Sequence, residues 1–466
     1  MGEALPSGGR WPGKLRAIMA VAGLSVRAAV RSRVVLSLVL LLVAGVIGIP
    51  QLVAGDGSPA SALQVRLCYT LATSVVVLGL VTLWAACAAF GLEIDSRRIE
   101  LTAVKPVQPW MLWLGRWLGI LLLDAVLLAG VAIAVRVQLL GYAAAGLPGA
   151  TNAAVLLLSR AVSQPLLPAP EDEARQIFEQ LRQSQRLPAD EAPETFFRKL
   201  VQQCRYRYQP IHPGESALWR FPLAHPVATD GRFWVRLRFD TGGQSLADVR
   251  GLCRVRRPGA TTWAAEVAVN ELIRNELEIP ITARSLAQAP ELEVAFLYQA
   301  DAKAAPLLVQ PRTALAVLTP LGTFNGNLAR VMVAQLAILA ALAALGLTLG
   351  ACFSFPVAAF VATAVLLALL VTPDDARELL PTRLAGEAPP GLVAGMALGV
   401  NRTMAAVIRP LVQPEPLTHA VAGERVPASD LCQMWLWGGA VYPLVLAWLA
   451  SAVLRRRELS RQMAGG

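Results

Sequence analysis

Glu93, Asp95, Arg97, Arg98, Glu100 and Lys105 crowd into one short stretch of the chain, with long apolar runs on either side. An isolated Arg, Lys or Asp at the centre of a membrane-spanning helix costs about 2.5–3.5 kcal/mol. The stretch therefore reads as a water-facing connector, residues 93–116, between two membrane helices. A loop like this is where a membrane protein can be gripped from the cytoplasm. The plainer reading is that the charges set topology and meet lipid headgroups. Trp110, Trp113 and Trp117 follow and are expected at a membrane interface.

Asp124 falls near the middle of the next apolar run. The nearest base outward on the same helix is Arg136, about 18 Å along the axis at 1.5 Å per residue. The carboxyl is therefore expected to face the bundle interior, to be protonated, or to find a partner on another helix. A structural hydrogen bond and a transport role both fit. Farther on, Trp234, Arg236 and Arg238 share one face of a strand, and Arg250, Arg254 and Arg256 share a face of the next. Stacked, these two faces would form a basic, partly aromatic patch for an anion. A solvated sheet face is the plainer account. Cys204 and Cys253 lie in the same polar region and are candidates for a disulfide, whereas Cys68, Cys87 and Cys352 fall in or beside apolar runs and read as packing residues. His212, His225 and His419 lack metal-ligand spacing, and no catalytic constellation stands out.

The elements that must position these residues follow from hydropathy. Of 466 residues, 55% are hydrophobic and only 16% charged, against about 45–50% and about 25% in soluble domains. The mean hydropathy is +0.52. These values indicate an integral membrane protein with a soluble part. Apolar runs at 34–54, 67–92, 111–135, 328–350, 356–371 and 434–454 give six candidate spans of about 20 residues. Residues 391–412 are nearly long enough but carry Asn401, Arg402 and Arg409, and read as interfacial or re-entrant. The net charge of +10 concentrates in the N-terminus, the connector and the tail around Arg455, Arg456 and Arg457. By the positive-inside rule all three are cytoplasmic. Nucleic-acid binding would want these bases on one soluble face.

The expected fold is an all-α six-helix transmembrane bundle with an inserted extracytoplasmic α+β domain. Residues 1–33 hold a cytoplasmic amphipathic helix, and 34–145 the first three spans. Residues 146–325 form the extracytoplasmic domain, helical over 165–207 and an antiparallel β-sandwich over 230–320, where hydrophobic residues alternate with period two. Residues 326–372 hold spans four and five, 373–431 an extracytoplasmic or re-entrant segment, and 432–466 span six with the basic tail. Gly8, Gly13 and Lys14 mimic a phosphate loop, but Leu15 replaces its hydroxyl residue and no strand precedes it. TGGQS at 241–245 sits in a turn. Neither is credible as an ATPase motif.

An ordered set of features resembles the permease subunits of type-2 ABC exporters, in the subset with a large outer domain between spans three and four. An amphipathic helix ends in RAAVRSR. The connector carries Glu100, Leu101, Pro106, Gly115 and Gly119, with Arg116 in place of the family's usual Lys. GTFNGNLARVMV (322–333) leads into the fourth span. CFSFPVAAF (352–360) makes a tight turn into the fifth, and GERVPASDL precedes the last. The resemblance implies a non-enzymatic transport subunit that pairs with a second permease copy or homologue in the lipid bilayer. The chain itself would bind no cofactor, ATP and Mg being held by a separate cytoplasmic ATP-binding-cassette subunit. Glu93, Asp95, Arg97, Arg98, Glu100 and Lys105 would contact that ATPase. The rival expectation is a membrane-anchored sensing or scaffold protein whose outer sandwich binds a ligand or partner.

Overall fold

The computed structural model describes residues 11–31, 33–52, 59–95, 108–144, 158–184, 193–239, 247–273, 276–300, 304–371 and 416–464. The chain begins with α1 (Trp11–Arg31), α2 (Arg33–Leu52), α3 (Pro59–Asp95) and α4 (Pro109–Ala144). Among the described residues, four helical stretches are long and apolar enough to cross a membrane. These are Val65–Gly91 in α3, Pro109–Gly141 in α4, Phe324–Cys352 and Ala428–Arg456; two shorter apolar helices span Val39–Gly48 and Phe355–Leu367.

Phe324–Cys352 is α8, the central rod of the bundle, and packs against α3, α4, α9 (Phe355–Val371) and the last helix, α12 (Tyr442–Ala464). Its alanines make this crowding possible. Ala340, Ala343, Ala344 and Ala351 are fully buried and leave room for larger neighbours such as Trp113 and Phe90 in the same cluster. Leu78, Leu83 and Cys87 of α3 interlock with Leu339 and Leu342 on another face. The chain turns from α8 to α9 through only Phe353 and Ser354, and Pro356 sits in the first turn of α9, where its missing N–H costs nothing. The last helix has a wide segment, Trp435–Val441, between α11 (Ala428–Met434) and α12.

Between α4 and α8 lies a domain of helices and antiparallel sheet. Two helices, α5 (Pro170–Gln183) and α6 (Pro193–Arg205), pack through Phe178, Phe196 and Phe197. The strands are β1 (Leu158–Ser163), β2 (Gln209–Ile211), β3 (Ser216–Pro222), β4 (Arg232–Arg238), β5 (Ala247–Arg256), β6 (Ala265–Ile273), β7 (Glu276–Thr282), β8 (Glu291–Tyr298), β9 (Leu307–Val309) and β10 (Leu315–Thr323). One four-stranded sheet has the order β1-β10-β4-β7 and the other β3-β8-β5-β6; β2 and β9 form a separate pair. The inward side chains of both sheets, among them Phe233, Val235, Leu237, Val249, Cys253, Val255 and Phe296, meet in one apolar core. Sheet structure thus begins before the expected 230–320, with β1, β2 and β3. A short helix, α7 (Pro311–Ala314), turns the chain from β9 into β10.

β10 runs directly into α8 with no linker. Thr323 ends the strand and caps the helix, its hydroxyl accepting from the Gly326 N–H.

Candidate functional site

The outer face of the β1-β10-β4-β7 sheet is covered at its centre; along β4 it is open only at the ends, at Arg232 and Arg238. Strand β4 is buried at all five interior positions, because a strap of chain, residues 416–427, lies across that face. The strap contains α10 (Pro416–Val421) and leads into α11. It pairs with the β1 edge: the Arg160 N–H donates to Gly423 O at 3.1 Å and the Arg425 N–H to Arg160 O at 2.8 Å.

Four charged side chains and a histidine meet under the strap. Arg160, fully buried, grips Glu278 with two bonds, Nη1 to Oε2 at 2.8 Å and Nη2 to Oε1 at 3.1 Å. Arg236 donates to the same Oε1 from Nε at 3.0 Å and from Nη2 at 2.8 Å. Its Nη1 donates to Glu424 Oε1. Both guanidiniums also donate to Ala422 O, at 2.9 and 3.0 Å. Glu424 Oε2 faces His419 Nδ1 at 2.8 Å. Trp234 closes one side, with the Arg160 guanidinium 5.6 Å from its ring. Ala316, the register partner of Arg236, leaves room for the stack. Two arginines thus balance two glutamates. Burial pushes the Glu278 carboxyl up, but Arg160 and Arg236 outweigh it and hold it below the ordinary carboxylate range. Glu424 is likewise held low: His419 and Arg236 outweigh the effect of burial.

The strap is tied on its other side to α8. Asn327 Nδ2 donates to Glu424 O at 2.7 Å, and the Val426 N–H donates to Asn327 Oδ1 at 3.0 Å. Arg330 Nη1 reaches Val426 O at 3.1 Å.

At the far end of the bundle, α1 lies on the start of α4. Ile18 and Ala22 are buried there, while Leu15, Met19, Leu24 and Val30 remain exposed. The contact depends on glycine. A Cβ at Gly115 would lie 2.7 Å from Val21 Cβ and 2.9 Å from Ile18 O; one at Gly119 would lie 2.8 Å from Ala22 O. Arg116, between them, is buried: its guanidinium sits 4.0 Å from the Phe90 ring and donates to Ala89 O at 2.7 Å.

Several expectations need correction. Trp113 and Trp117 do not lie on the bundle surface; both are buried, with ring centroids 6.3 Å apart, and Trp117 Nε1 donates to Ala340 O at 2.9 Å. The helix begins at Pro109, so 109–116 is not part of a loop. The six-residue anion patch does not assemble. β4 and β5 belong to different sheets, and their inward neighbours fill the shared core, so Trp234, Arg236 and Arg238 face away from Arg250, Arg254 and Arg256. Arg236 is neutralised at the junction. Arg254 pairs with Glu266 at 3.4 Å and Arg256 with Glu293 at 2.8 Å. Cys204 and Cys253 are free thiols, one on α6 in its contact with α5 and the other in the sheet core. Asp124 finds a partner on another helix: Thr82 Oγ1 donates to its Oδ1 at 2.8 Å, and its Oδ2 has no partner among the described residues.

Glu93 and Asp95 lie in the last turn of α3. Arg97, Arg98, Glu100 and Lys105 lie outside the described residues, as do 391–412. Glu278, Glu424 and His419 were not read from the sequence as site residues; the only signal was the buried apolar alternation around Arg236. No known family profile matches this chain, and no curated protein matches it.

Proposed function

We propose that this chain is the membrane-spanning permease subunit of an ATP-binding-cassette exporter, powered by a separate cytoplasmic ATPase. The observation that carries the reading is the glycine seat at Gly115 and Gly119, which brings α1 into backbone contact with the start of α4. An ATPase that closes against the connector between α3 and α4 needs a stiff lever to move the spans. A helix locked to the first turns of α4 supplies one. The fully buried alanine face of α8 gives such a lever a packed bundle to act on.

In this reading α2, α3, α4, α8, α9 and the α11–α12 helix are six spans. Both termini and the connector are cytoplasmic, and the sheet domain is extracytoplasmic. Arg16, Arg27 and Arg31 on α1 and Arg455 and Arg456 on α12 agree with that orientation. A second permease copy completes the transporter. The strap junction then couples the outer domain to the last span. The test is charge reversal: Arg97→Glu with Arg98→Glu should abolish co-purification of the ATPase while membrane insertion stays intact. Unchanged co-purification would refute the coupling.

A further inference from the structure

The sheet domain holds a cleft of about 340 Å³ that plays no part in the junction. This lies within the range of small-molecule sites, about 300–1,000 Å³. It opens between the first turn of α5, the chain leaving α6, β2, and the start of α7. Leu167, Pro210 and Pro311 line it with apolar surface. Tyr208 stands in its wall, 45% exposed.

Its polar groups are out of balance. Glu173 lies between two guanidiniums, with Arg207 Nη1 at 2.9 Å from Oε1 and Arg312 Nη2 at 3.3 Å from Oε2. The neighbouring Glu171 is already within ion-pair range of Arg205. Arg312 Nη2 also donates to Pro168 O. A guanidinium has five N–H donors in a planar fork. The bonds just named use Nη1 of Arg207 and Nη2 of Arg312. The other nitrogens, Nε and Nη2 of Arg207 and Nε and Nη1 of Arg312, have no acceptor among the described residues. Two cations thus share one carboxylate, leaving one positive charge and two half-used forks in a concave site. Arg312 and Glu173 are mostly shielded, at 21% and 22% exposure, whereas Arg207 is 67% exposed. One guanidinium is thus set into the wall of the cleft and the other stands at its open side. The arginine fork matches a planar carboxylate in bidentate geometry, and an exposed tyrosine ring gives the rest of the ligand a flat face to lie on.

We propose that this cleft binds a small organic acid, its carboxylate taken by Arg207 and Arg312 and its ring body laid against Tyr208. The assignment is independent of the transport reading.

Glucuronate is a suitable probe, since it carries a carboxylate on a compact ring. Binding to the full chain in detergent is measured by calorimetry, with glucose and inorganic phosphate as comparators. Glucuronate should bind at least about tenfold more tightly than glucose, because charge-assisted bonds are the strong class. Arg207→Gln and Arg312→Gln should each weaken it about tenfold or more. Arg207→Gln is the decisive variant: its side chain is exposed, so the fold survives, as an unchanged circular dichroism melt would verify. Tyr208→Ala should weaken glucuronate and leave phosphate unaffected. Glucuronate binding no better than glucose, or unchanged in Arg207→Gln, overturns the site. Phosphate binding as tightly as glucuronate, with Tyr208→Ala without effect, overturns the organic-acid assignment.

Discussion

Replacing Glu278 with Gln measures what the ionic junction contributes. Glu278 receives four N–H contacts from Arg160 and Arg236, whose side chains are 0% and 7% exposed. Without its charge, Glu424 alone must balance both guanidiniums. Removing one partner of a buried pair costs about 3–5 kcal/mol. Glu278 is 24% exposed, so water relieves part of the penalty and the lower end, about 3 kcal/mol, applies. At about 2–4 °C per kcal/mol for a domain of this size, the midpoint should fall by about 6–12 °C. Thermal unfolding in detergent, followed by tryptophan fluorescence, reads this directly, since Trp234 lies against the Arg160 guanidinium. The control is Glu179→Gln, which breaks an exposed pair with Arg182 and should cost at most about 1 kcal/mol. If the two variants shift the midpoint equally, the strap is not held by charge and the reasoning fails.

Two further outcomes follow from the same geometry. Glu278 and Glu424 are held below the ordinary carboxylate range. The stability they contribute is therefore complete above the unfolded value of about 4.3 and is lost as pH falls through the lower native values. Melts between pH 3 and pH 6 should show this loss in the wild type and a smaller one in Glu278→Gln; equal acid sensitivity would argue against the junction as its source. At the other end of the bundle, Gly119→Leu should force α1 off α4, a strain of about 1–3 kcal/mol. Trypsin should then cut faster at the exposed Arg16, Arg27 and Arg31, while Gly130→Leu, at a position where an added Cβ meets nothing within 4 Å, should leave cleavage unchanged.

What was legible in the sequence is what local pattern encodes. The apolar runs appear as helices because about 20 hydrophobic residues in succession have few other solutions. β4, β5, β7 and β8 follow the period-two alternation nearly residue for residue. What was not legible depends on partners far away. Trp113 and Trp117 carry an interfacial signature, and only the small residues of α8, more than 200 positions on, make a buried slot for them. The arginine patch failed for the same reason. Alternation places Arg236 and Arg254 on outward faces, and both do face outward, but strand order decides which sheet each strand joins, and no local signal specifies that. Arg236 then meets Glu424, 188 positions away, on a strap whose sequence shows no special period.

The connection between the sheets and the helices has two parts of unequal stiffness. The covalent part is the β10–α8 boundary, where Gly322 and Thr323 are exposed and Thr323 holds the helix by one long bond of 3.4 Å. Alone, that boundary would bend easily. The strap spans it. The main chain at Glu424 and Val426 is fixed to α8 by Asn327, while the Glu424 side chain is fixed to the sheet by Arg236. Bending the boundary therefore pulls the two ends of one residue in different directions. It must break either the three strap–α8 bonds, two from Asn327 and one from Arg330, or the larger set on the sheet side: the Arg236–Glu424 pair, both guanidinium bonds to Ala422 O and the two main-chain bonds to Arg160, where leaving a buried charge unpaired costs about 3–5 kcal/mol. The weaker link yields first. Sheet and strap then travel together, and because the strap continues into α11, any displacement of the sheet reaches the last helix before it reaches α8.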